Sequence, residues 1–179
     1  MFGECRPFVV PKVLLRASFV TQDANDLKQT LTADYAPQTI QFNQIPLSDL
    51  AVTLDLLTGE VTFNQDFSGM ATLSVSAWRE QTGTSIIDWG IFVEVYDDVT
   101  EAWVPYEGSL RPITLNTQTT SEKRTIDYTI SVDVKAGSKF RWRHYTSDSS
   151  KQVSIISFAA ANGLPSSAGA IFSLWGVKP

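Results

Sequence analysis

The amino-acid sequence predicts an all-β fold, an antiparallel sandwich or barrel, from three observations. Apolar and polar residues alternate with a period of two from Val13 to the C-terminus, which is the spacing of side chains on a strand. Turn-forming residues separate these runs at regular intervals. No segment sustains the i, i+3, i+4, i+7 stripe of an amphipathic helix. Together these patterns predict about eight to ten strands in one sandwich or barrel.

The eight to ten strands are predicted from alternating runs, some of them short. These are residues 13–19, 40–42, 52–56, 61–63, 71–77, 91–95, 103–106, 128–134, 140–145, 153–160 and 170–177. Thr58-Gly59 is a turn signal that predicts a hairpin between the third and fourth runs. Ala136-Gly137 predicts a turn between two long antiparallel strands. Residues 26–36 are interpreted as a loop or a short helix.

The N-terminal segment differs from the rest of the chain. Pro7 and Pro11 cannot donate backbone hydrogen bonds to a strand ladder, so residues 1–12 are predicted to form an extended arm outside the sheets. Residues 13–179 then form one β-domain. Glu4 stands where a basic leader would begin, and the apolar run is broken by the two prolines, so a signal peptide is not expected.

The composition limits the classes of partner. The 179 residues carry a net charge of -5, which provides no basic surface for a phosphate backbone, so nucleic acid is not an expected partner. No run of about 18 apolar residues occurs, so no transmembrane helix is expected. Charged residues make up 18% of the chain, below the roughly 25% of an average domain. The surplus of aromatic residues has two explanations, a partner that covers apolar surface or an aromatic-rich core.

The sequence has few side chains of the types that catalyse reactions or bind metal ions. The sequence has one His and one Cys, at opposite ends, and no GxSxG motif, so it predicts neither an enzyme nor a zinc site. Cys5 has no second thiol for an intramolecular disulfide. His144 shares a predicted strand face with Phe140 and Trp142, which favours a packed or interface histidine. The pair Asp97-Asp98 lacks the spacing of a calcium loop and is interpreted as a turn. No metal or cofactor is predicted.

One segment resembles a known family. Asp55-Leu-Leu-Thr58-Gly59-Glu-Val-Thr62-Phe63, followed by the strand that Gly69 begins, resembles the central signature of the jelly rolls of tumour necrosis factor and complement globular heads. "ASF", "TIQFN", a "VKAGSKFRWRHY" hairpin and a final "GAIFSLWGV" strand are similar in order. The aromatic-rich "GxYxF" strand of the vertebrate members is replaced here by Gly69-Met-Ala-Thr-Leu73, which argues against a secreted animal cytokine. The most particular likeness is to virion proteins of tailed bacteriophages.

This resemblance implies that residues 13–179 form an antiparallel jelly-roll sandwich domain and that the chain is a structural virion protein. The expected function is that of a homotrimeric decoration (cement) protein, which is assembled in the host cytoplasm and binds and stabilises the outer capsid surface. Its expected partners are two further copies of itself and the major capsid protein or neighbouring virion proteins. In the family, the sheet with the first and last strands builds the threefold interface. The candidate interface residues are therefore aromatics of these strands and their neighbours: Phe19, Phe42, Phe140, Trp142, Phe172 and Trp175. The alternative is that each of them fills the core of one subunit.

Two further segments are candidate contacts with other virion proteins. The arm carries apolar side chains at Phe2, Phe8, Val9 and Val10, and it could attach to a capsid by adding to a neighbouring sheet edge. Lys139, Arg141 and Arg143 point away from Trp142 on their strand, which favours ion pairs between subunits or with the capsid.

A second function is a receptor- or glycan-binding head of a phage fibre. It would use the loops at residues 81–88, 106–111 and 117–123, with Trp89, Trp103 or Tyr106 stacking on sugar rings. A possible host surface glycan is therefore an alternative partner.

Overall fold

The computed structural model describes residues 11–22, 25–116 and 122–177, and within these ranges it is an antiparallel β-sandwich. Fourteen strands, numbered here in chain order, form two sheets of seven strands each among the described residues. The predicted all-β jelly-roll sandwich is thus confirmed. A short 3-10 helix, Ser149–Lys151, precedes β13. No helix in the described ranges has the length and apolar character needed to span a bilayer.

Sheet A contains the first and last strands. Its members are β1 (Lys12–Val20), β2 (Leu27–Thr30), β4 (Gln44–Ser48), β7 (Phe67–Arg79), β11 (Glu122–Val134), β13 (Val153–Ser157) and β14 (Ala168–Val177). The order across the sheet is β4, β1, β14, β7 and β11, and β13 with β2 extends it beside the end of β7. The 13-residue strand β11 pairs along its whole length with β7 and forms one edge.

Sheet B contains the strands that lie between these in sequence. Its members are β3 (Gln38–Thr39), β5 (Val52–Leu54), β6 (Glu60–Phe63), β8 (Ile87–Asp97), β9 (Ala102–Pro105), β10 (Arg111–Leu115) and β12 (Lys139–Thr146). The order is β10, β8, β12, β6 and β5, with β9 on β8 and β3 on β12.

The core fills the space between the sheets because alternate residues of each strand point inward. From β12 of sheet B, Phe140 and Trp142 meet Phe172 from β14 of sheet A, with ring centroids 5.8 and 6.2 Å from it. Phe42 packs on the same ring at 5.7 Å. These aromatic contacts hold the two sheets together, since large rings remove much apolar area from water.

The turn at Ala136-Gly137 does not connect a hairpin, and this part of the sequence interpretation is wrong. The strand before it, β11, pairs with β7 of sheet A, whereas the strand after it, β12, pairs with β8 and β6 of sheet B. Both strands have an apolar face, and each buries that face against the other sheet. The chain therefore crosses from one sheet to the other at this turn.

Two short segments also differ from the prediction. Residues 27–30, interpreted as loop or short helix, form β2 at the edge of sheet A, where Leu27–Thr30 pair with β13. Residues 40–42, expected in a strand, follow β3 without joining a ladder. Ile40 and Phe42 nevertheless point into the core, and the Ile40 amide donates to the Trp142 carbonyl at 2.9 Å. At residues 40–42 the apolar–polar alternation therefore indicates which side chains are buried, and it does not indicate that the backbone pairs in a sheet.

The signature segment is a tight turn between β5 and β6. One Asp55 carboxylate oxygen accepts from the amides of Leu57 (2.8 Å) and Thr58 (3.3 Å), and the Gly59 amide donates to the Asp55 carbonyl at 2.8 Å. Gly59 has φ +70, and a Cβ atom there would lie 2.6 Å from the Thr39 methyl carbon. The turn therefore needs glycine for its backbone angle and for its close approach to the segment after β3. The predicted hairpin is confirmed.

Candidate assembly interface

The outer side of sheet A is the most distinctive surface of the sandwich. On β7, Leu73 and Val75 point inward and are 1% exposed, whereas Thr72, Ser74 and Ser76 point outward and are half-buried. Sheet B covers the inner side only. The outer side is therefore a broad surface that the single chain leaves partly open to solvent.

Small hydroxyl side chains cover the middle of this surface. We call it the hydroxyl face, and its members are Ser18, Thr72, Ser74, Ser76, Thr125, Thr129, Ser131 and Ser173. Thr72 is paired with Ser173 on one side and with Thr129 on the other, so hydroxyls follow one another across three strands. Ser76 and Thr125 hydroxyls are hydrogen-bonded at 2.9 Å. Short uncharged side chains that bond laterally give a flat surface, which another flat surface can approach closely.

Exposed apolar side chains lie at one end of the hydroxyl face. Trp175 and Met70 are direct partners in the β14–β7 ladder, and they are 40% and 48% exposed. A depression of about 230 Å³ lies further along, between Ser74, Asp127 and Ile171. Large apolar groups next to neutral hydroxyls are typical of surfaces that a partner covers.

Trp78 marks the other end. Its ring lies 5.8 Å from that of Phe158, and the Lys28 and Lys123 ammonium groups lie 4.6 and 5.7 Å from the ring centre. The Trp78 indole N–H is buried and has no hydrogen-bond partner in the described part of the chain. The two ends of the face are thus aromatic.

Five of the six predicted interface aromatics lie elsewhere. Phe19, Phe42, Phe140, Trp142 and Phe172 are 5% exposed or less, because they pack between the sheets of one chain. Their assignment to a contact between subunits is therefore wrong, and the alternative of a core role is correct for these five. Trp175 is the sixth, and it lies on the hydroxyl face. The arm residues Phe2, Phe8, Val9 and Val10 lie outside the described residues.

The basic residues of β12 have partners within the chain. Arg141 Nη2 lies 2.7 Å from a Glu94 carboxylate oxygen, and Lys139 Nζ lies 2.9 Å from a Glu60 oxygen. Arg143 donates to the Thr39 hydroxyl at 2.9 Å. These side chains do point away from the core, as the alternation predicts. Their expected role in ion pairs with other subunits is replaced by ion pairs across the outer side of sheet B.

The three candidate sugar-stacking residues differ in how far their rings are exposed to solvent. Trp89 is fully buried, so it cannot stack on an external ligand and that assignment is wrong. Trp103 is partly covered by the Arg141 guanidinium, 4.2 Å from the ring centre. Tyr106 is 54% exposed. Of the candidate loops, residues 117–121 lie outside the described ranges.

His144 and Asp97 each have a structural setting, the first in the core and the second at a turn on the surface. His144 is fully buried on the inward face of β12, which confirms the packed histidine. Asp97 accepts from the Thr100 hydroxyl and the Val99 amide at the β8–β9 turn, and these bonds lower its pKa. Within residues 11–22, 25–116 and 122–177, no three His, Cys, Asp or Glu side chains cluster as metal ligands would.

The residues of the hydroxyl face were not selected from the sequence, although a signal for them exists. They occupy the opposite phase of the alternation that predicts the core strands: Ala71, Leu73 and Val75 face one way, and Thr72 and Ser74 face the other. The interface residues predicted from the sequence are large aromatics instead. The more informative signal is the outward phase of β7 and β14, which carries no charged side chain.

Comparison with solved structures supports the fold. The globular domain of zebrafish complement 1qA protein superposes with a TM-score of 0.51 and 12% sequence identity, over 90% of this chain and 94% of that chain. At this identity the likeness concerns the fold alone, and it agrees with the complement-head resemblance of the Asp55–Phe63 segment. No protein-family model and no curated protein matches the sequence.

Proposed function

We propose that this chain is a structural head that assembles as a homotrimer and decorates the outer surface of a viral capsid. The observation that carries the assembly is the hydroxyl face with its exposed Trp175 and Met70. A solvated sheet face commonly carries long charged side chains, whereas here the outer sides of β14 and β7 carry none, and Ser and Thr continue from them onto β11.

The outer side of sheet A also suits this role by its position. It belongs to the sheet with the first and last strands, which in the tumour necrosis factor and complement family builds the threefold contact. The capsid, the virion surface as location and the host cytoplasm as place of assembly rest on the sequence likeness to phage virion proteins. The proposed partners are the major capsid protein or its neighbours.

A bulky charge in the middle of the hydroxyl face tests the assembly. Ser74→Arg places a long cation beside Thr72 and Ile171, so we expect the trimer to dissociate while the monomer stays folded. Thr114→Arg is the matched control, because Thr114 is exposed on β10 of the other sheet. Light scattering reports the mass, and far-ultraviolet circular dichroism reports folding. Equal masses for both variants would contradict the proposal.

Attachment to the capsid is assigned to the arm. We expect a variant that lacks residues 1–12 to remain a trimer in solution. It should no longer co-sediment with capsids from which the decoration protein has been stripped. Undiminished capsid binding by this variant would remove the arm from the proposal. Copy number per particle would separate a decoration protein from a fibre tip, which is present in few copies.

A second candidate function, glycan binding, is favoured by one groove on sheet B. The groove has a volume of about 340 Å³ and is lined by Phe92, Tyr106, Leu110 and Tyr145 with the loop between β9 and β10. The Tyr145 ring lies across the backbone of Gly90, where a Cβ atom would come within 2.6 Å of it. Its neighbour Tyr35 stacks at 6.4 Å and is 70% exposed.

This tyrosine groove offers flat aromatic faces to a ligand. Glu107 is one of the lining residues, and no Lys or Arg among the described residues lines the groove, so a neutral sugar fits better than an anionic one. A glycan array with wild type and Tyr106→Ala tests this function. Glycan binding that the wild type shows and the variant lacks would support this function. If the wild type binds no glycan, capsid decoration remains the only proposed function.

A further inference from the structure

The two sides of the hydroxyl face carry opposite charges. Arg16 lies on β1, and Asp127 and Asp133 lie on β11; all three point outward and are exposed. No ion pair or hydrogen bond links the side chains of these three to any other side chain in the described part of the chain. The basic side and the acidic side are separated by the neutral strands β14 and β7.

Distance explains why these charges do not pair within one chain. From β1 to β11 the path crosses β14 and β7, which makes three strand spacings. At about 4.8 Å each, the separation is about 14 Å, beyond the reach of an ion pair across a flat face. Each charge is therefore available to a second molecule.

Arg16 and Asp127 also lie at similar heights along the strands. Arg16 is in the row of Ser173, Thr72 and Thr129, two residues from Asp127. The offset is about 7 Å, at roughly 3.4 Å per residue, and a long Arg side chain can span it.

We propose that the basic β1 side of one copy meets the acidic β11 side of the next copy, with the strands nearly parallel to the symmetry axis. This inference rests on the proposed assembly and adds which sides meet. Rotation about an axis keeps each residue at its height, so Arg16 comes within about 7 Å of the height of Asp127 of the neighbouring copy. A ring needs such a head-to-tail contact, in which one patch meets a different patch.

Charge reversal tests the pairing. Asp127→Arg and Arg16→Asp each place like charges opposite one another, so each should raise the dissociation constant of the assembly at least about tenfold. The double variant restores opposite charges with reversed sign and the original net charge, and it should assemble within about threefold of wild type. Glu107→Arg is the control, since it makes the same charge change as Asp127→Arg on an exposed loop by sheet B. Sedimentation velocity in low and high salt measures all five proteins.

The outcomes separate this pairing from the assembly itself. Single variants that dissociate and a double variant that recovers would support it, together with a wild-type assembly that weakens as salt screens the charges. Single variants that assemble as tightly as wild type, or a double variant that stays dissociated, would overturn the pairing and leave the assembly standing. A wild-type monomer would overturn both.

Discussion

The Trp89 indole Nε1 donates a hydrogen bond to His144 Nδ1 at 3.4 Å, in a part of the core where both residues are fully buried. The rings meet edge-on, with planes at 72°. A nitrogen that accepts a bond carries no proton, so this contact assigns the hydrogen of the neutral imidazole to Nε2, which is buried and has no partner among the described residues. Burial, and next the nearby Arg143 charge, lowers the His144 pKa from 6.5 to about 3.

Stability should therefore decrease in mild acid. Below pH 6.5 the unfolded chain binds a proton at His144, whereas the folded chain does not until pH about 3. The free energy of unfolding should fall by up to about 1.4 kcal/mol per pH unit in this window. Asp55 and Asp97 have pKa values lowered from 3.8, so their contribution is lost mainly at lower pH.

Urea unfolding of wild type and His144→Gln at pH 7 and pH 5 measures this effect. The variant keeps a hydrogen-bond acceptor but does not titrate, so its stability should change less between the two pH values. An equal change in both proteins would show that His144 does not cause the acid sensitivity.

Phe172 and Trp175 should respond to truncation in different ways. Phe172→Ala removes the ring at the centre of the aromatic contacts between the sheets, and it should cost about 3–5 kcal/mol of unfolding free energy. Trp175→Ala removes an exposed ring, so the monomer should lose about 1 kcal/mol or less, while the assembly weakens. Denaturation and light scattering of both variants measure the contrast. A large loss of monomer stability in Trp175→Ala would contradict its placement.

The signature turn should tolerate alanine poorly. Gly59→Ala combines a left-handed backbone with contact between the new methyl and Thr39, so we expect a loss of about 2–4 kcal/mol. Gly137→Ala is the matched control, because Gly137 has φ +89 and a Cβ atom added there would meet no described atom within 4 Å. It should lose only about 1 kcal/mol. Equal thermal shifts in the two variants would show that the packing against Thr39 is unimportant.

The guanidinium group of Arg79 should not be replaceable by another cation without a loss of stability. Its side chain is fully buried, and its guanidinium donates to four backbone carbonyls at 2.7 to 3.2 Å. These carbonyls belong to Gln81, Gly83, Ser85 and Leu115. Arg79→Lys keeps the charge but cannot reach all four, so it should cost about 3 kcal/mol. Arg124→Lys, at an exposed ion pair, should cost less than about 1 kcal/mol. Similar losses in the two variants would contradict this role.

The sequence predicted the strands better than their partners. Period-two alternation identifies the inward phase of β7 and β12 directly, because side chains of a strand alternate between two environments. It does not indicate which sheet a strand joins, and so β11 and β12 were expected to pair although they belong to opposite sheets. Pairing depends on contacts between residues far apart in sequence.

The candidate interface was predicted only in part, for a reason visible in β14. Phe172 and Trp175 are three residues apart, so a regular strand places them on opposite faces. Residue size alone grouped them together, and the structure separates them into core and surface. Arg16 is matched with Asp127 in our proposal only after the ladder registers of four strands are known.

The mass of the protein in solution tests the central claim most directly. Sedimentation equilibrium at micromolar concentration should give three times the chain mass of 19.8 kDa, and Ser74→Arg should reduce it to one chain mass. A wild-type protein that remains a monomer under these conditions would contradict assembly through the hydroxyl face.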